Sequence, residues 1–382
     1  MRGHIQQRGE KSFRIRAYAG RDRSGRKRYV QRTIVGSRRD AEKALTRLLG
    51  EVDEGRIVAS ASMTVNELID KWLAVKRQAV EPSTMINYEW VARKYVRPAL
   101  GTHKVDALRA MDLDMLYSEL SGRGLSARTV RICHTVLRQS LDQARRWGFI
   151  AHNPVIDASP PPQRRDEVVP PSVEQVLRIL DAAHDEDPDF GTYLWLKSAT
   201  GCRRGEVCAV RWSDIDLDRA ELAVRRSVVQ LGRELREKDT KTHQSRRIAL
   251  DPATVALLRQ HRLRQREQML ALGVRLAEDA LLFGSPDGRP WRPDVVTNRF
   301  GRLRATLDLE HVRLHDLRHF VASVLIDGGI PISTVSNRLG HSQISTTLNL
   351  YTHALPATDH RAAEYLGDLL THRPRPSAAD LS

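Results

Sequence analysis

Two stretches late in the chain decide its reading: Leu314-His315-Asp316-Leu317-Arg318-His319, and Leu339-Gly340-His341, followed after nine residues by Tyr351. Two more stand upstream in the same segment. One is Thr200-Gly201-Cys202-Arg203-Arg204-Gly205-Glu206, with Leu217 a little beyond it. The other is Thr240-Lys241-Thr242, in a polar loop ahead of a strand-like run at 247–250. Any one of these patterns is weak alone, because R-x-x-E occurs by chance in most proteins. The four in this order form a specific set.

In this set the chain resembles the tyrosine recombinases, the phage integrase family that includes the Xer resolvases. The resemblance to the catalytic domain spans about residues 170–360 and rests on R-x-x-E, a Lys before a strand, H-x-x-R-H and L-G-H-x9-Y. By position it implies that Arg203, Lys241, His315, Arg318 and His341 surround a scissile phosphate. Tyr351 would be the nucleophile, and Glu206 would support the first arginine. His319 is expected to be a supporting residue, and His353 has no assigned role.

The residue types suit that chemistry independently. Breaking a phosphodiester builds negative charge on its non-bridging oxygens, and guanidinium groups meet it with a permanent charge and a bidentate fork. Arg203 and Arg318 fit this task. A phenol is a poor nucleophile at its free pKa and needs a base or a positive environment. His315 is the expected proton acceptor, and His341 the expected hydrogen-bond donor to the phosphate. The departing 5′ oxygen needs a proton, and Lys241 suits that step. Only ten of the 62 Lys and Arg residues are Lys, and none follows Lys241, so its place in this loop is the more telling. A 3′-phosphotyrosyl bond would conserve the phosphodiester's energy, so no ATP is expected. The chain shows no P-loop and no carboxylate cluster for Mg²⁺. Histidines 341 and 353 lack Cys or Glu neighbours at metal spacing. No cofactor and no metal is therefore expected.

Composition agrees with a polyanionic partner. The formal net charge is +15, and nucleic acid is the first candidate; the resemblance implies double-stranded DNA. No apolar run approaches the ~20 residues of a membrane span, and residues 1–11 lack the apolar stretch of a signal peptide. The three cysteines, Cys133, Cys202 and Cys208, form no C-x-x-C pair and read as small buried fillers. A cytoplasmic location is expected.

Three segments precede a short tail. Residues 1–58 hold 16 Lys and Arg against 7 Asp and Glu. Phe13, Ile15 and Ala17 alternate with Arg14, Arg16 and Tyr18, which reads as a half-buried strand. A second strand is expected at 29–35, then a helix opened by a capping box at Ser37. Residues 62–157 read as four helices. They begin at the Thr64-Val65-Asn66-Glu67 box, at Pro82 (carrying Met85, Tyr88, Trp90, Val91 and Tyr95), at 112–120, and after Ser126. The last carries Arg128, Arg131 and Arg138, which make either a phosphate track or a solvated face. Residues 158–166, with three consecutive prolines, read as a semi-rigid linker. Residues 167–370 read as mixed α/β and mostly helical. Helices are expected from Ser172 to His184, at 190–200 and at 204–211, and short strands at 221–224, 227–231, 247–250 and 281–283. Residues 371–382 are a tail.

The expected fold class is α+β, mostly helical: a small sheet-plus-helix domain, a helical bundle and a mixed α/β catalytic domain. By resemblance, residues 1–58 correspond to an arm-type DNA-binding domain and 62–157 to the SAM-like core-binding domain, with Arg14, Arg16, Arg128, Arg131 and Arg138 toward DNA. The implied function is site-specific recombination that integrates or excises a mobile element, by a homo-tetramer on two attachment sites. A host DNA-bending protein or an excision factor is a compatible accessory. A helix at 359–370 packs either on its own domain or on a neighbour. Competing readings are a Xer-like resolvase, a type IB topoisomerase and a regulator that has lost catalysis.

Overall fold

Alternating apolar and basic residues around Ile15 build the central strand of a three-stranded antiparallel sheet, order β1 (Gly3–Gly9), β2 (Ser12–Arg21), β3 (Lys27–Val35). In this computed structural model the described residues are 3–21, 27–53, 63–163, 169–239 and 246–340. The register sets His4, Arg16 and Gln31 in one cross-strand row and Gln6, Arg14 and Thr33 in the next. Side chains alternate between faces, so the opposite face carries Phe13, Ile15 and Ala17. These are buried with Ala41 and Leu48 of α1 (Arg38–Asp53). The Ser37 box forms as expected: the Asp40 carboxylate accepts from Ser37 N at 2.9 Å. Only two strands were expected. The third, β1, has a single inward apolar residue, Ile5, so periodicity gives it almost no signal.

The next segment folds as helices. They are α2 (Val65–Lys76), α3 (Pro82–Val91), a π-helical turn at Ala92–Val96, α4 (Arg97–Leu100), α5 (Ala110–Gly122) and α6 (Ala127–Arg146). The capping box at Thr64 is present: Thr64 N donates to the Glu67 carboxylate at 2.7 Å, and Glu67 N donates to the Thr64 hydroxyl at 3.3 Å. The core gathers Leu68, Trp72, Val91, Leu113, Val136 and Leu137. Trp90 departs from its expected apolar grouping. It is 37% exposed, with Lys94 Nζ 5.2 Å from its ring centre. Its ring still packs edge to face on Tyr95, with centres 5.3 Å apart, because the π turn places residues five apart on one side. Tyr95 remains buried. The start of the proline stretch is fastened to this bundle: Ser159 N donates to Asp114 Oδ1 at 2.7 Å and Arg131 Nη1 to the Pro161 carbonyl at 3.0 Å.

The chain divides into two compact units, Met1–Arg165 and Asp166–Ser382. In the second, α7 (Val173–Glu186) and α8 (Pro188–Thr200) pack on each other, followed by the short α9 (Arg204–Cys208). Strands β4 (Ile215–Asp216), β5 (Glu221–Val224) and β8 (Arg246–Ala249) form one antiparallel sheet. A separate hairpin joins β6 (Arg226–Leu231) to β7 (Glu234–Asp239). Helices α10 (Pro252–Ala271), α11 (Pro293–Thr306), α12 (Asp316–Asp327) and α13 (Ile332–Leu339) complete the unit. One core links Phe190, Tyr193, Val207, Leu222, Ile248, Leu258, Phe283, Phe300 and Leu317.

Two expectations are corrected here. The helix at 204–211 stops at Cys208, because Arg211 turns to extended backbone and bridges Leu281. The run at 281–283 is no strand but that isolated bridge; the core it enters, not strand pairing, explains its apolar residues. No helix among the described residues is long and apolar enough to cross a membrane.

Candidate active site

The site is built on a turn. Helix α8 ends at Thr200, and Gly201 takes a left-handed conformation, φ +68°, with its N–H donating to the Lys197 carbonyl at 3.0 Å. Glycine is the residue that adopts this backbone without steric cost. A Cβ here would also lie 2.4 Å from Leu339 Cδ2. The chain then extends through Cys202 and starts α9 with Arg203 as its N-cap.

Glu206, one turn into α9, is 3% exposed and accepts four hydrogen bonds. Arg203 supplies its backbone N–H at 2.7 Å and its Nη1 at 2.9 Å. Arg246, at the start of β8, supplies Nη1 at 3.2 Å and Nη2 at 2.7 Å. An ionised carboxylate has about four lone-pair sites, so this one is saturated. Burial alone would raise its pKa. The Arg246 fork, then Arg203, overcome that and hold it at about 2. Glu206 is therefore a fixed anion that orients two guanidinium groups.

Each of those arginines also reaches the end of α13. Arg203 Nη2 donates to the Gly340 carbonyl at 2.9 Å, and Arg246 Nε to the Arg338 carbonyl at 3.0 Å. Carbonyls at a helix C-terminus lack intrahelical partners and carry partial negative charge, so cations are well placed there. Gly340 is left-handed too, and a Cβ on it would meet Arg246 Nη1 at 2.7 Å. Arg203 remains 45% exposed along its side chain, open to a ligand.

The H-x-x-R-H stretch enters from α12. Residues three and four apart share one face of a helix, so His315, Arg318 and His319 cluster. Arg318 is 2% exposed. Its Nη1 donates to the Gly201 carbonyl at 2.8 Å, while its buried Nη2 has no hydrogen-bond partner among the described residues. Burial, with Arg203 nearby, lowers its pKa to about 10, so it stays charged at neutral pH. The rings of His315 and His319 meet edge to face with centres 5.0 Å apart. His315 has an edge open to solvent. Lost hydration, then Lys197, His319 and Arg318, push its pKa down to about 4 against the opposing pull of Asp316. At neutral pH this imidazole is uncharged and able to accept a proton.

The structure thus brings Arg203, Glu206, His315, Arg318 and His319 to one place. Lys241, His341 and Tyr351 lie outside the described residues. Three residues that the sequence reading passed over belong to the site: Lys197, fully buried with Nζ donating to the Cys202 carbonyl at 2.9 Å; Arg246; and Arg338, whose Nη2 donates to the Ala199 carbonyl at 2.9 Å. The scarcity of Lys marks all ten lysines alike and does not single out Lys197. Arg246 and Arg338 carried no signal in an arginine-rich chain.

The expected DNA-facing residues lie in the first unit. Arg14 and Arg16 stand on the sheet face opposite the core, with the Arg16 guanidinium 3.7 Å above the Tyr29 ring centre. On α6, Arg128 and Arg138 are exposed, whereas Arg131 is partly buried and engaged with Pro161.

Residues 172–358 match the profile of the Phage integrase family, and residues 64–121 that of the Phage integrase, N-terminal SAM-like domain. The chain is 28% identical to the tyrosine recombinase XerC-like protein of Caldanaerobacter subterraneus, over 94% of this chain and 97% of that protein. It is 26% identical to the ICEBs1 integrase of Bacillus subtilis, over 89% and 92%, and 29% identical to an integrase of Streptomyces ambofaciens, over 88% and 87%. The fold resembles the Tn1549 transposon integrase, solved with transposon right end DNA: TM-score 0.68, 21% identity, 79% of this chain and 100% of that one. It also resembles a lambda integrase dimer bound to a COC' core site: TM-score 0.59, 17% identity, 91% and 93%.

Proposed function

The chain belongs to the phage integrase family and is a tyrosine site-specific recombinase, and from that premise we propose how its own residues carry the reaction. Tyr351 Oη attacks the scissile phosphorus in line, forming a 3′-phosphotyrosyl bond as the bond to the 5′ oxygen breaks. His315 takes the phenolic proton, and Lys241 gives one to the departing oxygen. Arg203, Arg318 and His341 hold the non-bridging oxygens, Glu206 orients Arg203, and His319 supports His315. A 5′ hydroxyl from the partner site then reverses the step and rejoins the strand.

The observation that carries this reading is the buried Arg318 Nη2, without a hydrogen-bond partner among the described residues and beside an accessible Arg203. A buried guanidinium nitrogen left unpaired is costly. A phosphate oxygen would satisfy it and answer the excess positive charge of the pocket.

Residues 1–58 would bind arm-type DNA through the sheet face that carries Arg14 and Arg16. Residues 62–157 would hold core-site DNA with Arg128 and Arg138, and 167–370 would cut it, in a tetramer assembled on two sites. The integrase relatives that align over 88–89% of this chain favour an integrating element over a housekeeping resolvase as the source.

Sequencing the DNA that flanks the gene for direct repeats supplies the test substrate. A duplex nicked beside the crossover point traps the covalent adduct, because the freed 5′ end diffuses away. The parent chain should form the adduct and Tyr351→Phe should form none while binding the same duplex; an adduct from that variant removes Tyr351 as the nucleophile. Two intact sites in one reaction should give recombinant lengths, which a topoisomerase would not.

A further inference from the structure

Ten lysines occur in the whole chain, and Lys197, in the last turn of α8, is completely shielded from solvent. Its Nζ donates to the Cys202 carbonyl at 2.9 Å, while Arg318 Nη1 donates to the preceding carbonyl, Gly201, at 2.8 Å. Two successive carbonyls of the turn that leads into Arg203 are thus held by two buried cations, one from α8 and one from α12. Among the described residues neither cation has a carboxylate within ion-pair distance. Of the two buried carboxylates near them, Glu206 is occupied by Arg203 and Arg246, and Asp316 by Arg313.

Burying an ammonium without a counter-charge is costly. An apolar side chain of similar length would fill this space without that cost, so packing alone does not account for a lysine here. Its hydrogen bond fixes the backbone from which Arg203 projects, and its charge adds to an excess that a bound phosphate would neutralise.

We infer that Lys197 is a positioning residue for DNA cleavage, anchoring the Cys202 carbonyl beneath Arg203 and keeping the pocket one cation in excess for the phosphate. The role rests on the catalytic reading of Arg203 and Arg318 given above. Lys197 does not touch DNA in this scheme; it acts through Arg203 and through the field at His315. Among the described residues, the groups that face His315 are Lys197 from α8, and Asp316, Arg318 and His319 from its own helix α12. A cation nearby disfavours protonation of the imidazole, so removing Lys197 should make His315 easier to protonate.

The test compares Lys197→Met and Lys197→Gln with the parent, as full chains, on the nicked core-site duplex. Three quantities are read: the single-turnover rate of adduct formation across the titration of His315, duplex affinity, and thermal melting. Both variants should melt cooperatively and bind the duplex as the parent does, yet form adduct about tenfold more slowly or worse, as misplacement of a reacting group predicts. The acid limb of the rate profile should move to higher pH in both. Gln retains a donor for the Cys202 carbonyl, so it should recover part of the rate while keeping the displaced limb.

Parental rates with an unmoved limb would overturn the assignment. So would a slower rate with an unmoved limb, or failure of both variants to melt cooperatively, since Lys197 would then serve packing alone. If Met alone fails to fold, the limb of Gln decides. A parent that forms no adduct overturns the catalytic reading and this role with it. A parent that cleaves beside unaffected variants removes Lys197 only.

Discussion

Glu206 and Arg246 show how much of this site depends on single side chains. Arg246→Ala would leave a buried carboxylate with one guanidinium partner instead of two and remove one of the two arginines that hold the end of α13. Breaking a buried pair from one side costs about 3–5 kcal/mol, so a large loss of stability and of adduct formation is expected, read by urea unfolding and by the nicked duplex. Lysine at 246 should recover little, because it lacks the fork that spans both carboxylate oxygens. The pH dependence has a definite sign. The pKa of Glu206 is depressed in the folded chain, from its ordinary 4.5 to about 2. Its contribution to stability is present above pH 4.5 and lost as the pH falls from there toward 2. Melting temperature should drop through that window in the parent and drop less in Glu206→Gln. At Gly201, alanine would meet both a left-handed backbone and Leu339 at 2.4 Å; Gly201→Ala should slow adduct formation more than it weakens DNA binding.

At the scale of elements, α6 separates two kinds of arginine that look alike in sequence. Arg138 is exposed, whereas Arg131 is partly buried and spends a guanidinium nitrogen on the Pro161 carbonyl. Arg138→Ala should reduce the dependence of core-site binding on salt by about 0.9 in log–log slope if it neutralises one phosphate. Arg131→Ala should instead loosen the proline stretch, read as faster proteolytic cutting near residues 160–165. The same scale explains two misreadings. Strand β1 offers a single inward apolar residue, so alternation could not announce it. The run at 281–283 offers three apolar residues, yet tertiary packing rather than strand pairing uses them.

For the whole molecule, the separate apolar clusters of the sheet module, the bundle and the second unit lead to a prediction about division of labour. Removing residues 1–58 takes away 16 Lys and Arg but none of the residues assigned to cleavage. The shortened chain should still form the adduct on a nicked core site. Its binding to distal arm sites should weaken, and the salt slope there should flatten by about 0.9 for each lost phosphate contact. An unchanged slope would count against an arm-binding sheet.

The amino-acid sequence by itself determined the family chemistry. Arg203, Glu206, His315 and Arg318 are recognisable by type and order, because charge, donor geometry and proton affinity belong to side chains before any fold exists. Local signals likewise marked the helix starts, since a cap such as Thr64 with Glu67 involves residues only three apart. Only the tertiary structure decided which other side chains share the pocket. Lys197, Arg246 and Arg338 sit in different elements, and no local pattern distinguishes them from the other lysines and arginines of a highly basic chain. What distinguishes them is removal from water beside specific carbonyls and one carboxylate, a property of packing between distant segments.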